Sequence, residues 1–123
     1  MNKKNLTIKE VFALAIQNYQ RNNLKVAKKL YKEILKINPN HFGSILFLGI
    51  LLTKTKNFDL AKQLFQKAIQ IKPNYANAHN NLGIVFHKLK EFQKAKGCYE
   101  KSILIDPDHA PTHNNLGLVF KEL

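Results

Sequence analysis

Histidine, cysteine and asparagine side chains are the candidates for chemistry in this chain of 123 residues. His109 and His113 are four residues apart, and His79 precedes an Asn-Asn pair just as His113 does, a pattern that invites a metal interpretation. Pro111 lies between the close pair, and no cysteine or carboxylate completes the ligand set. We therefore expect no metal and no other cofactor, and a packing role for His79 and His113.

The single thiol, Cys98, would act as a nucleophile only where its surroundings lower its pKa. No base beside a nucleophile, no glycine-rich phosphate loop and no pair of carboxylates stands out in the sequence. One cysteine also excludes an internal disulfide and fits a reducing compartment. We expect this chain on its own not to be an enzyme.

Two pairs of asparagines, Asn80-Asn81 and Asn114-Asn115, are suited to hydrogen bonding with an extended peptide. Each Asn amide carries both donors and an acceptor, so it can bind a peptide backbone whatever side chains the peptide carries. Each pair is followed directly by Leu-Gly. This recurrence indicates that the same structural element occurs more than once.

Proline sets the period of the repeat, because Pro39, Pro73 and Pro107 are evenly spaced along the chain. The interval divides the chain into a tail (1–7), three units (8–41, 42–75 and 76–109) and the first helix of a fourth unit (110–123). Stacked in this way, the units share leucine (Leu14, Leu48, Leu82, Leu116), glycine (Gly49, Gly83, Gly117), alanine (Ala27, Ala61, Ala95) and aromatic (Tyr31, Phe65, Tyr99) columns.

Apolar residues within each unit follow two separate helical stripes, with spacings of three and four residues. The polar pairs Asn22-Asn23, Lys56-Asn57 and Lys90-Glu91 lie between the stripes and suit a tight turn. The proline of each unit begins the turn that leads out of it. The sequence therefore predicts an all-α chain of helix–turn–helix units.

A glycine recurs inside the first helix of successive units, although glycine costs about 1 kcal/mol relative to alanine there. Its recurrence indicates that another helix approaches closely at that point. We expect Ala61 and Ala95, in the second helices, to lie opposite Gly49 and Gly83.

These columns resemble the tetratricopeptide repeat family, in which Leu-Gly, Ala, an aromatic residue and Pro recur with a period of about 34 residues. The third unit matches through Asn81-Leu82-Gly83, Ala95, Tyr99 and Pro107, and the second through Leu48-Gly49, Ala61, Phe65 and Pro73. The first unit departs with Ala15 and Asn18, and His79 and His113 stand where the family has Trp. The resemblance spans residues 8–123. In particular, the chain resembles the bacterial type of repeat that is attached to O-linked N-acetylglucosamine transferases.

The resemblance implies an alpha-alpha superhelix, a solenoid of three full repeats plus one terminal helix, whose first helices line a concave groove. By this resemblance the groove residues are Phe12, Ile16, Tyr19, Leu46, Phe47, Ile50, Asn77, Asn80, Asn81, Ile84, His87, Asn114, Asn115 and Leu118. The N-terminal half is apolar and the C-terminal half is an amide ladder, similar to the ladder with which the transferase repeats hold protein substrates. In an alternative interpretation, the apolar residues only pack neighbouring first helices together.

The carboxylate-clamp subfamily, which grips acidic C-termini of chaperones, requires Lys and Asn at two positions of its first unit and Asn in the second. Here these positions hold Phe12, Ile16 and Phe47. The resemblance therefore does not extend to the clamp.

The favoured function is a scaffold that binds an extended peptide or partner protein, with no evident small-molecule substrate. An alternative is the N-terminal substrate-recruiting arm of a larger enzyme of the glycosyltransferase or sulfotransferase type. A third, less favoured, is nucleic-acid or anionic-membrane binding, since the net charge is +12 and Lys28, Lys62 and Lys96 recur on the convex side. No aromatic residues accompany these lysines in the sequence pattern, so a solvated face is the simpler interpretation.

Localisation and chain ends give two further expectations. Residues 1–5 are basic like a signal sequence, but residues 11–16 are too short an apolar run to span a membrane, so we expect a cytoplasmic protein. Gly117 and Phe120 repeat the pattern that receives a second helix. We expect that uncovered face either to self-associate or to continue into a longer chain.

Overall fold

A computed structural model describes residues 6–123 of the chain, so residues 1–5 of the predicted tail lie outside the described part. The seven α-helices are α1 (Ile8–Gln20), α2 (Leu24–Ile37), α3 (Phe42–Lys54), α4 (Phe58–Ile71), α5 (Ala76–Lys88), α6 (Phe92–Ile105) and α7 (Ala110–Glu122). No strand occurs within residues 6–123. The predicted all-α fold, three helix pairs and a terminal helix, is confirmed.

The helices stack in chain order, each contacting the next, and the first helix α5 also contacts the first helices α3 and α7. A single apolar core runs through the stack from Ala15 to Val119. We call the surface formed by α1, α3, α5 and α7 the inner face. None of the described helices is both long and apolar enough to cross a membrane.

The turn inside each helix pair has a left-handed residue, Asn22, Lys56 or Lys90, with φ between 62° and 66°. The next residue donates its backbone N–H to the carbonyl five residues earlier, as Asn57 does to Leu52 at 2.8 Å. This bond ends the first helix and reverses the chain. The polar pairs therefore form the tight turns that the sequence predicted.

Two histidines tie the turns between pairs to the helices that follow. His79 Nε2 lies 2.8 Å from the carbonyl oxygen of Pro73, and His113 Nε2 lies 2.7 Å from that of Pro107. An Nε2–H that donates to each carbonyl satisfies a turn acceptor beside the helix. Within residues 6–123 no group of three His, Cys, Asp or Glu side chains is placed to hold a metal.

The recurring glycines receive aromatic rings. A Cβ added to Gly49 would lie 2.7 Å from Phe65 Cε1, and one added to Gly83 would lie 2.5 Å from Tyr99 Cε1. The prediction that alanines such as Ala61 oppose the glycines was wrong, because the ring one helical turn further along the second helix fills that space. The backbone of the first helix thus packs directly against an aromatic ring, because glycine has no side chain to separate them.

Candidate functional site

A cavity of about 390 Å³ opens on the inner face between three helix pairs. We call it the central cavity, and it is lined by Tyr19, Ile50, Thr53, Lys54, Phe65, Asn81 and Ile84. Four of these residues, Tyr19, Ile50, Asn81 and Ile84, are among the predicted groove residues. They come from α1, α3 and α5, so the stacking of successive first helices assembles the cavity.

Phe65 is the one lining residue of the central cavity that does not come from a first helix, and the sequence did not point to it as a groove residue. It belongs to α4, a second helix, and its side chain is 1% exposed. Because Gly49 carries no side chain, the Phe65 ring lies against the backbone of α3 and reaches the cavity. The glycine column was the available signal, since it shows where a ring can pass the first helix.

The predicted amide ladder divides into bonded and unbonded amides. Asn115 Nδ2 donates to Asn80 Oδ1 at 3.1 Å, and Asn80 is only 6% exposed. Asn81, by contrast, lines the central cavity, and its amide forms no hydrogen bond with other residues of the described chain. Asn81 is therefore the member of the ladder whose donors and acceptor face a cavity unpaired.

The apolar half of the predicted groove forms an aromatic cluster at the N-terminal end. The Phe12 ring centroid lies 4.9 Å from that of His41 and 5.9 Å from that of Phe47, and Phe47 stacks on Tyr31 at 6.4 Å. A Cβ at Gly43 would lie 2.6 Å from Phe12 Cζ. These contacts match the alternative interpretation, in which Phe12 and Phe47 join neighbouring first helices.

The other predicted groove residues lie apart from the central cavity. Ile16 lies in a separate depression beside Leu14, and Leu46 is 6% exposed within the core. The His87 ring lies edge-on to Phe92, with 5.6 Å between the centroids. The remaining three are exposed at the surface: Asn77, Asn114 and Leu118.

A second cavity of about 530 Å³ adjoins the first at the C-terminal end of α3. We call it the lysine cavity, and it is lined by Thr53, Lys54, Lys56, Phe58 and Lys88. Lys54 Nζ lies 3.3 Å from Asn22 Oδ1 and 5.5 Å from the centroid of the Tyr19 ring. Its ammonium group thus contacts neutral partners, and its charge is left uncompensated.

Cys98 has the surroundings of a packed thiol. Burial raises the pKa of the Cys98 thiol to about 11, from an ordinary value of 9.0. The thiol therefore stays protonated near neutral pH, whereas a nucleophilic cysteine needs a lowered pKa. Burial also holds the pKa of the neighbouring Tyr99 hydroxyl above its usual range.

The outer surface of α2 is the most basic part of the described chain. A shallow depression there is lined by one glutamate, Glu33, and five lysines: Lys25, Lys28, Lys29, Lys32 and Lys36. No aromatic side chain lines it. On α6, Lys96 Nζ lies 5.8 Å from the centroid of the Phe120 ring, a contact that the lysine pattern did not anticipate.

The solved structures that share this fold include three different proteins. The O-GlcNAc transferase of Thermobaculum terrenum matches with a TM-score of 0.88 at 22% identity, over 98% of this chain and 23% of that one. MamA from Desulfovibrio magneticus RS-1 matches with a TM-score of 0.87 at 23% identity, over 92% of this chain and 64% of that one. The chain thus spans about a quarter of the transferase and two thirds of MamA.

A third match is the first TPR of Spaghetti (RPAP3) bound to the HSP90 peptide SRMEEVD. Its TM-score is 0.89 at 16% identity, and the match covers 93% of this chain and 90% of that one. At such identities the three likenesses establish the fold alone. No curated protein sequence matches the chain.

Family models match the central and C-terminal parts of the chain. One described as tetratricopeptide repeat matches residues 76–109, and one described as TPR repeat matches residues 49–90. Such repeats are non-catalytic modules that typically mediate protein–protein interaction. The period, the ring-on-glycine packing, the solenoid and both family matches agree, and the chain belongs to the tetratricopeptide repeat family.

Proposed function

We propose that the inner face of this chain binds an extended peptide segment of a partner protein, with the central cavity as its anchoring site. One observation carries the proposal: Ile50 and Ile84 form apolar walls beside the unpaired amide of Asn81. A peptide needs both features, since its side chains seek apolar surroundings and its backbone seeks hydrogen-bond partners. The MamA, transferase and Spaghetti structures support the fold, and the last was solved with a peptide bound.

The cavity suits one anchoring side chain at a time. Ile50 and Ile84 are half-buried, so each leaves apolar surface that a ligand can cover. The backbone beside that anchor can then exchange hydrogen bonds with Asn81, as an amide allows. Phe12 and Phe47 pack against each other, and Asn80 is hydrogen-bonded to Asn115. These two contacts keep the neighbouring helices in register.

Replacing side chains that line the central cavity should weaken peptide binding. We expect Ile84→Ser to reduce affinity at least tenfold through lost apolar contact, and Asn81→Ala to reduce it about two- to tenfold through a lost hydrogen bond. The ligand would be a synthetic peptide selected from a displayed library of random dodecapeptides on the immobilised protein. Fluorescence anisotropy with that labelled peptide measures the affinity.

Leu104→Ser is the matched control for Ile84→Ser, because Leu104 is 75% exposed and lies on α6, a second helix. Binding should be unchanged in this control, and thermal melts should show that all three variants remain folded. Equal affinity of Ile84→Ser and the native chain would refute the central cavity as the anchoring site. Failure to select any peptide would refute the peptide-binding function itself.

A second candidate function is favoured by the transferase match. In this proposal the chain is the substrate-recruiting arm of a larger enzyme, and the same inner face would hold that enzyme's protein substrates. Support comes from the likeness of almost the whole chain to 23% of the Thermobaculum terrenum transferase. Reading the gene beyond Leu123 decides this: a catalytic domain in frame supports the arm, and a stop codon removes it.

We also propose that α7 associates with the α7 of a second copy. A Cβ added to Gly117 would meet no atom within 4 Å, so the space that a ring fills at Gly49 and Gly83 is open here. Phe120, three residues further along, is 52% exposed. In an antiparallel pair of α7 helices, each Phe120 ring can lie on the Gly117 of the other copy.

Association through α7 should depend on the Phe120 ring. We expect the native chain to form dimers at about 0.1–1 mM, and Phe120→Asp to stay monomeric because a carboxylate cannot enter the apolar contact. Sedimentation velocity over this concentration range measures the two species. A native chain that remains monomeric at 1 mM would contradict the proposal.

A further inference from the structure

We propose that the peptide held on the inner face is acidic: it places an apolar side chain in the central cavity and carboxylates in the adjoining lysine cavity. This inference rests on the proposed function, and it adds the chemistry that selects the ligand. Three features support it: the two cavities adjoin each other, the second is positively charged, and its lysines have no carboxylate partner within residues 6–123.

The two cavities share two lining residues and so adjoin each other. Thr53 and Lys54, in the last turn of α3, line both of them. A peptide whose apolar side chain lies between Ile50 and Ile84 therefore has Lys54 beside it. Because successive side chains of an extended chain are about 3.3 Å apart along its axis, a carboxylate one to four residues from the anchor reaches the lysine cavity.

The lysine cavity carries positive charge that the described chain does not neutralise. Lys54, Lys56 and Lys88 make up three of its five lining residues, and no acidic residue lines it. None of these three lysines is paired with a carboxylate of residues 6–123. Uncompensated charge of one sign in a cavity favours ligands of the opposite sign and disfavours basic ones.

This arrangement differs from the carboxylate clamp. The clamp positions in this chain hold Phe12, Ile16 and Phe47, and the rings of Phe12 and Phe47 pack against each other. The lysines of the lysine cavity lie instead at the C-terminal ends of the first helices and in the following turn. Recognition of acid would therefore take place at the edge of the groove beside the turns.

The basic surface of α2 provides an internal comparison. Its five lysines line a depression that contains Glu33, no aromatic side chain and no residue of the inner face. The lysine cavity instead adjoins Ile50, Ile84 and Phe65 through Thr53 and Lys54. A general attraction for polyanions would use both surfaces, whereas an acidic peptide with an apolar anchor would use the lysine cavity.

The test uses the library-selected peptide and a version in which each Asp and Glu is replaced by its amide. We expect acidic residues within four positions of the apolar anchor, and about tenfold weaker binding of the amide version in 50 mM salt. The difference should shrink in 500 mM salt, because salt screens exposed charges. Fluorescence anisotropy measures both affinities.

Charge reversal in the protein is the second arm. The Lys54→Glu/Lys88→Glu variant should bind the acidic peptide at least tenfold more weakly and should prefer a peptide with lysines in place of its acids. The control is Lys29→Glu/Lys32→Glu, which changes the net charge equally but on α2. The control should bind like the native chain.

The outcomes separate this inference from the proposed function. Selected peptides that depend on Ile84 but bind equally well as amides would overturn the acidic specificity alone. Equal loss in the α2 control, or displacement of the peptide by a dodecamer of oligouridine, would indicate general polyanion binding and overturn it as well. Selection of no peptide at all would remove both proposals.

Discussion

Replacing Gly83 with leucine should lower the free energy of unfolding by about 3 kcal/mol, because the new side chain has to enter space held by a ring. A Cβ at this position would already lie 2.5 Å from Tyr99 Cε1, and Tyr99 is 1% exposed. The ring is enclosed by the core and cannot move aside cheaply. Chemical denaturation measures the loss, and the melting temperature should fall by about 10 °C.

Gly97→Ala is the control, because Gly97 lies inside α6 and a Cβ there would meet no atom within 4 Å. This change should raise stability by up to about 1 kcal/mol, the advantage of alanine over glycine in a helix. A smaller change, Gly83→Ala, should still destabilise the chain. Stabilisation by Gly83→Ala equal to that by Gly97→Ala would show that no ring opposes Gly83.

Replacing Phe65 with alanine should cost about 3–5 kcal/mol, the usual effect of removing a buried aromatic side chain. Phe65 is 1% exposed and its ring lies against Gly49. The loss combines the transfer of the ring's apolar surface to water with the empty volume left in the core. Urea denaturation followed by circular dichroism measures it, and a loss below about 1 kcal/mol would contradict this packing.

Phe65→Leu separates the role of the ring in stability from its role in the central cavity. This change keeps an apolar side chain, so we expect a loss of about 1–2 kcal/mol and a folded protein. Since Phe65 lines the cavity, the smaller residue should deepen it. Peptides selected on this variant should carry larger anchors than those selected on the native chain, and identical anchors would exclude Phe65 from the site.

The architecture could be predicted from the sequence because each packing arrangement recurs in successive repeats. Pro39, Pro73 and Pro107 set the period, and the left-handed turns at Asn22, Lys56 and Lys90 fall between the two stripes of each unit. A periodic pattern averages over accidental substitutions. The weaker first unit, with its alanine in place of glycine, could therefore be assigned by comparison with the other units, and it forms the same pair of helices.

The residue that packs against each glycine could not be predicted in the same way. Ala61 and Phe65 lie one helical turn apart on the same stripe of α4, so periodicity could not decide which of them meets Gly49. Size decides it: a ring extends far enough to reach the first helix, and an alanine methyl does not. The cavity contribution of Phe65 was missed for the same reason.

Within the predicted groove, the sequence could not distinguish the roles of residues that are adjacent in the chain. Asn80 and Asn81 follow each other in the chain, yet the first is buried and bonded to Asn115 while the second lines the central cavity. A rotation of about 100° per residue around the helix separates them. The lysine cavity was missed because Lys54, Lys56 and Lys88 come together only when the helix pairs are stacked.

Methyl NMR of the isoleucines would show whether the central cavity holds the peptide. The library-selected peptide would be titrated into protein labelled at the isoleucine methyl groups. Saturable shifts at Ile50 and Ile84, with Ile37 unchanged, are the expected result, since Ile37 is 73% exposed at the end of α2. Saturable binding that leaves the methyl signals of Ile50 and Ile84 unchanged would show that the peptide binds elsewhere on the protein.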